Sequence, residues 1–122
     1  MKKVIDILGT KYTVLFDVPI NKDKALEGRC GYCFPKARKI VIADLHMIDS
    51  WKDEDEVSID RQVREVIRHE VIHAFLAESG LWGNASGTDC WPLNEEMVDW
   101  LAIQWPKIRK VLEKLGGDEV AQ

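Results

Sequence analysis

Residues 58–80 place the tightest limit on what this chain can fold into. Their apolar positions recur with a helical period, so that Arg61, Arg64, Glu65 and Arg68 fall on one face and Val63, Val66 and Ile67 on the other. Beyond Glu70 the polar face runs out, and Val71, Ile72, Ala74, Phe75, Leu76 and Ala77 make the segment almost wholly apolar. A helix that is wet over one half and enclosed over the other threads through a core. Ser58 is placed to cap its start, Asp60 suits the positive end of its dipole, and Gly80 stands where the helix must stop. A chain of 122 residues can wrap one such core and not two, so a single domain is expected over 1–122.

Upstream, residues 1–45 read as mainly β. Two β-branched and aromatic-rich runs, 4–8 and 12–18, are joined around Gly9 and Thr10; a second pair, 29–34 and 39–43, is closed by Pro35, Lys36, Ala37 and Arg38. Ile40, Val41 and Ile42 form a continuous apolar run suited to burial on both faces. Residues 19–28 look turn-rich, with a short helical turn at Lys24, Ala25 and Leu26, and the acidic run 51–56 reads as a solvated loop. After a loop at 81–92, residues 93–115 read as C-terminal helices. One carries Val98, Leu101, Ala102 and Trp105 as its core stripe; another, beyond Pro106, carries Ile108, Val111, Leu112 and Leu115. The expected class is α+β: a small antiparallel sheet of two hairpins, then the 58–80 helix, then a helical C-terminal part.

Composition narrows the partners. Seventeen Lys and Arg against 21 Asp and Glu leave a net charge of −4, which argues against nucleic acid and against an anionic membrane surface. No apolar run reaches the roughly 20 residues of a membrane-spanning helix, and Asp6, Gly9, Thr10 and Lys11 interrupt any signal-peptide core at the start. Three cysteines are an odd count, better suited to a reducing compartment than to a disulfide framework, so a cytoplasmic location is expected.

The chemistry concentrates in His69-Glu70-Val71-Ile72-His73, an H-E-x-x-H motif inside the half-enclosed helix. Four helical residues advance the direction by about 400°, so the two imidazoles lie one turn apart and within roughly 40° of each other. That suits two ligands of one tetrahedral Zn²⁺, with Glu70 beside the metal, placed to take a proton from water there. A third ligand is needed. Asn94-Glu95-Glu96-Met97-Val98-Asp99 opens the next helix, where Glu95 and Asp99 share a face and Glu96 points about 100° away. Glu95 is the expected third ligand, and Asp99 the acceptor for the free N–H of a ligand histidine.

Three further features read as structural. Cys30-Gly31-Tyr32-Cys33 is a C-x-x-C without the following helix of a redox motif or the second pair of a zinc ribbon, so packing is its expected role. His46 reads as a surface or turn histidine, and Trp100 and Trp105, at helical spacing, as core.

HEVIH followed by NEEMVD resembles the gluzincin metallopeptidases, whose thermolysin-like pattern pairs H-E-x-x-H on one helix with N-E-x-x-x-D on the next. With its small size and its two hairpins before the active-site helix, the chain is similar to compact members, including the ImmA/IrrE-like and other short metallopeptidases of phages and bacterial mobile elements. The resemblance implies a minimal zincin-like domain with one Zn²⁺ held by His69, His73 and Glu95. It makes Glu70 the catalytic base, with Asp99 orienting His69 and Asn94 supporting His73. The implied activity is that of a zinc-dependent metalloendopeptidase acting on a protein or peptide substrate, such as a repressor or other regulatory protein of a mobile element. The chain departs from the family pattern in one respect. Gluzincin peptidases usually carry a His or Tyr beyond the second helix that steadies the oxyanion, whereas here Tyr12, Tyr32 and His46, the remaining Tyr and His, all precede the motif. A second function stays open: a catalytically silent, zinc-stabilised module that holds a partner peptide in the same cleft. Glu70 weighs against it, because a purely structural site needs no base.

Overall fold

A computed structural model describes residues 1–81, 94–116 and 118; of the loop expected at 81–92 only Leu81 is among them, and Cys90 lies outside. The fold is α+β, a four-stranded sheet followed by two helices among the described residues. Strands β1 (Lys2–Ile7) and β2 (Thr10–Val18) form an antiparallel hairpin. Its two-residue turn has positive φ at both Leu8 and Gly9, a geometry matched to strand twist, and Asp6 Oδ1 accepts the Gly9 N–H at 2.8 Å. Strands β3 (Gly31–Phe34) and β4 (Lys39–Ala43) form the second hairpin, around the tight helical turn Pro35–Ala37.

Both hairpins stand where the sequence puts them, but the sheet they make is not wholly antiparallel. Strand order is β1-β2-β4-β3, and β2 pairs with β4 in parallel. The connection through residues 19–30 carries the chain across to the far edge, so β3 takes the outside position and β4 the centre. Hydropathy supplies the reason. Ile40, Val41, Ile42 and Ala43 are all buried, and the middle of the sheet, with apolar clusters packed on both faces, is where such a strand is covered best. Ile40 and Ile42 pack with Tyr12, Val14, Val66 and Ala74, while Val41 and Ala43 pack with Leu26, Tyr32, Leu45 and Ile59.

Helix α1 (Glu56–Glu78) begins two residues earlier than Ser58 suggests. Its cap is Asp55, whose carboxylate accepts the Ser58 N–H at 2.7 Å, so the end of the acidic run nucleates the helix instead of remaining loop. Within the first cluster α1 meets β3 closely: a Cβ on Gly31 would stand 2.8 Å from Val66 Cγ1 and 2.9 Å from the Val41 carbonyl oxygen. Only glycine permits that approach, which brings the β3 edge alongside the histidine-bearing turn.

The two C-terminal helices expected around Pro106 are one, α2 (Glu95–Leu115), with Pro106 inside it. Proline lacks the N–H that would bond to the carbonyl four residues back, at Ala102. Arg68 Nε of α1 donates to that freed Ala102 oxygen, so the acceptor stays satisfied and the helix runs on. Trp100 and Trp105 are not core residues; they are 57% and 42% exposed. Val98 and Ala102 are the buried positions of α2, while Val111 and Leu115 in its last turns are exposed. His46 is exposed in the helical turn Leu45–Met47. Its Nδ1 lies 2.9 Å from Asp44 Oδ1 and its Nε2 2.8 Å from Glu56 Oε1, which ties that turn to the start of α1. No helix among the described residues is long and apolar enough to cross a membrane.

Candidate metal centre

The 3.6-residue repeat of α1 puts His69 and His73 on one face, with ring centroids 4.9 Å apart and the rings edge to face. Helix α2 returns beside them and delivers Glu95 in its first turn. His69 Nε2 lies 3.1 Å from Glu95 Oε2 and His73 Nε2 2.6 Å from Glu95 Oε1, so one carboxylate meets the same nitrogen of both rings. Asp99, one turn on, places Oδ1 3.4 Å from His69 Nδ1. That carboxylate stands where it can orient the ring through Nδ1 when Nε2 serves a metal.

Glu70 points inward from the same turn and is 7% exposed. One ligating atom from each of His69, Glu70 and His73 lies within 4.8 Å of the others, and among the described residues this is the single such group of metal-ligating side chains. Burial pushes the Glu70 carboxyl up to about 7, with Glu95 adding to the rise and the His69 and Arg29 charges opposing it. A carboxyl in that range takes up and returns a proton near neutral pH. Burial pulls His73 below the ordinary histidine value against the pull of Glu95, which favours the neutral ring that a metal needs. Two imidazoles and a carboxylate form a donor set that fits Zn²⁺.

Asn94 is the N-cap of α2. Its Oδ1 accepts the Met97 N–H at 2.8 Å, which fixes the start of the helix and with it the place of Glu95. Glu96 is exposed on another side of the helix.

The site opens into a cleft of about 510 Å³, walled by α1 on one side and β3 on the other. Sequence reasoning had no means to find that wall. Cys30 and Cys33 line the cleft as well as packing beneath it. Burial, with Glu70 and Glu78 adding, drives the Cys33 thiol up to about 12, and burial with Glu65 and Glu70 raises Cys30, so both are thiols at neutral pH. Arg29, just ahead of β3, also lines it. Nothing in one dimension links Arg29 to a motif forty residues downstream; the sheet crossover makes that link. β4, being interior, offers no free edge, whereas β3 is an edge strand of the four-stranded sheet and borders the cleft.

No protein-family model, no curated protein and no solved structure matches the chain.

Proposed function

We propose that this chain is a zinc-dependent metallopeptidase, a minimal zincin-like domain that hydrolyses a peptide bond in a protein substrate. The observation that carries the reading is the meeting of His69 Nε2 and His73 Nε2 on the Glu95 carboxylate, with buried Glu70 in the same cluster. His69, His73 and Glu95 would hold the ion. Zinc supplies Lewis acidity, which polarises a carbonyl and makes a water proton acidic near neutral pH. Glu70 takes the proton of the attacking water and passes it to the leaving amine. Asp99 orients His69. The free edge of β3 supplies backbone donors and acceptors for an extended substrate, which would lie along the cleft as an added strand. The resemblance to mobile-element metallopeptidases favours a regulatory protein as that substrate.

Elemental analysis after reconstitution should find one zinc per chain in the parent and far less in His73→Ala. The reconstituted parent should cleave members of a broad peptide library, and a chelator should stop it. Well under one equivalent of zinc in the parent, or equal zinc affinity in His73→Ala, defeats the metal assignment. A zinc-loaded parent that cleaves neither the library nor any candidate protein leaves the silent binder as the better reading.

Asp99→Ala should keep the fold, because its side chain is half exposed, and should weaken zinc binding by about 10–100-fold, the usual scale for a group that orients a ligand. Competition against a fluorescent chelator measures this. Unchanged affinity would reduce Asp99 to a surface charge.

A further inference from the structure

Hydrolysis of a peptide carries the scissile carbonyl oxygen through a negatively charged stage, and a catalyst must meet that charge with fixed positive charge or donors. This cleft is poorly supplied with either. Glu65, Glu70, Glu95 and Asp99 all line it, and Arg29 is the one lysine or arginine among its described lining residues.

Gln62 and Tyr32 also line the cleft, but Gln62 offers only a neutral amide. Tyr32 turns its hydroxyl to Asp23 Oδ2 at 2.5 Å, and its side chain belongs to the cluster on the opposite face of the sheet from Cys33. Tyr12 is wholly buried in the core. His46 is held at Glu56, the first residue of α1, about 20 Å along the helix from His69.

Arg29 is well placed by contrast. The tight turn Lys24–Leu26 precedes it, and the Leu26 carbonyl accepts its backbone N–H at 3.0 Å, so the root of the side chain is anchored. It lines the cleft where β3 begins, and the residue is exposed.

We propose that Arg29 is the catalytic residue that stabilises the tetrahedral oxyanion, an inference that rests on the peptidase reading. In the first step the water oxygen bonds to the carbonyl carbon, its proton goes to Glu70, and the π pair moves onto the carbonyl oxygen. That oxygen faces the permanently charged guanidinium and its donor fork. In the second step the pair returns to re-form C=O and the C–N bond breaks. Nitrogen leaves with the bonding pair and takes the proton from Glu70, giving a carboxylic acid and an amine.

The test compares zinc-reconstituted parent, Arg29→Ala and Arg29→Lys. Two quantities are measured: turnover of the fastest-cleaved library peptide, and calorimetric affinity for its phosphinic isostere, a tetrahedral anion. The phosphinic isostere of Ala-Phe-Leu-Ala serves if no peptide is cleaved. Arg29→Ala should bind zinc as the parent does and lose about 10²–10³-fold in kcat, the scale of an oxyanion donor, with KM little changed. Affinity for the phosphinate should fall by a similar factor, and Arg29→Lys should recover part of both. Unchanged phosphinate affinity in Arg29→Ala, or a rise in KM with kcat intact, overturns the role of Arg29 while a cleaving parent still stands as a peptidase. A parent that neither cleaves nor binds the phosphinate overturns the peptidase reading, and the Arg29 proposal with it.

Discussion

Glu70→Gln should bind zinc as the parent does and lose about 10²–10⁴-fold in peptide hydrolysis, the span of general acid–base catalysis. Glutamine keeps the shape of the side chain and leaves His69, His73 and Glu95 in place, but it cannot accept the proton of the attacking water. The size of the loss follows from how Glu70 is held. It is 7% exposed, so bulk water has little access to replace it, and burial has already brought its carboxyl to about 7. Zinc content and rate must be measured on the same preparation, because loss of metal would imitate loss of the base. Chelator-sensitive cleavage that survives Glu70→Gln refutes the mechanism. In a silent binding module, the substitution would leave partner binding unchanged and there would be no rate to lose.

The same carboxyl should make the metal-free protein lose stability as pH rises. Its pKa moves from 4.5 to about 7 on folding. At pH 4 the group is mostly protonated in both states and contributes little. Between 4.5 and 7 the unfolded chain releases the proton while the folded one keeps it, so stability falls, and above 7 the penalty levels off at about 3 kcal/mol. Glu70→Gln has no proton to release. In excess chelator its melting temperature should match the parent's near pH 4 and exceed it by about 10 °C at pH 8. His73 pulls the other way, since its lowered pKa yields stability present above the unfolded histidine value and lost as pH falls. Both proteins carry His73, so the difference between them isolates Glu70. A gap independent of pH would show that the carboxylate is solvated in the folded chain.

Local chemistry was legible wherever one element decided it. Tyr12 and Val14 announce their strand by an aromatic and β-branched run and Ile40 and Ile42 theirs by a continuous apolar run, and the hairpin turns follow from Gly9 and Pro35. Element ends were less legible, because an end depends on which of several neighbours satisfies the free backbone groups. Asp55, rather than Ser58, captured the first orphan N–H groups of α1. At Pro106 the sequence shows a missing donor, but only the neighbouring helix shows that Arg68 replaces it at Ala102 and so keeps α2 whole.

Sequence alone determined that His69 and His73 share a face with Glu70 beside them, and that Glu95 and Asp99 share another. Spacings of one, three and four residues on a helix are properties of the backbone repeat and need no tertiary information. Tertiary structure decided what those faces meet. In the packed sheet β4, buried on both sides, pairs in parallel with β2 while β3 takes the edge, and Gly31 lets that edge approach Val66. The return of α2 set Glu95 between the two imidazoles. Cys30, Cys33 and Arg29 entered the cleft by the same crossover. A contact between residues forty positions apart is fixed by which apolar faces must be buried together, a property of the whole packed chain that no local spacing encodes.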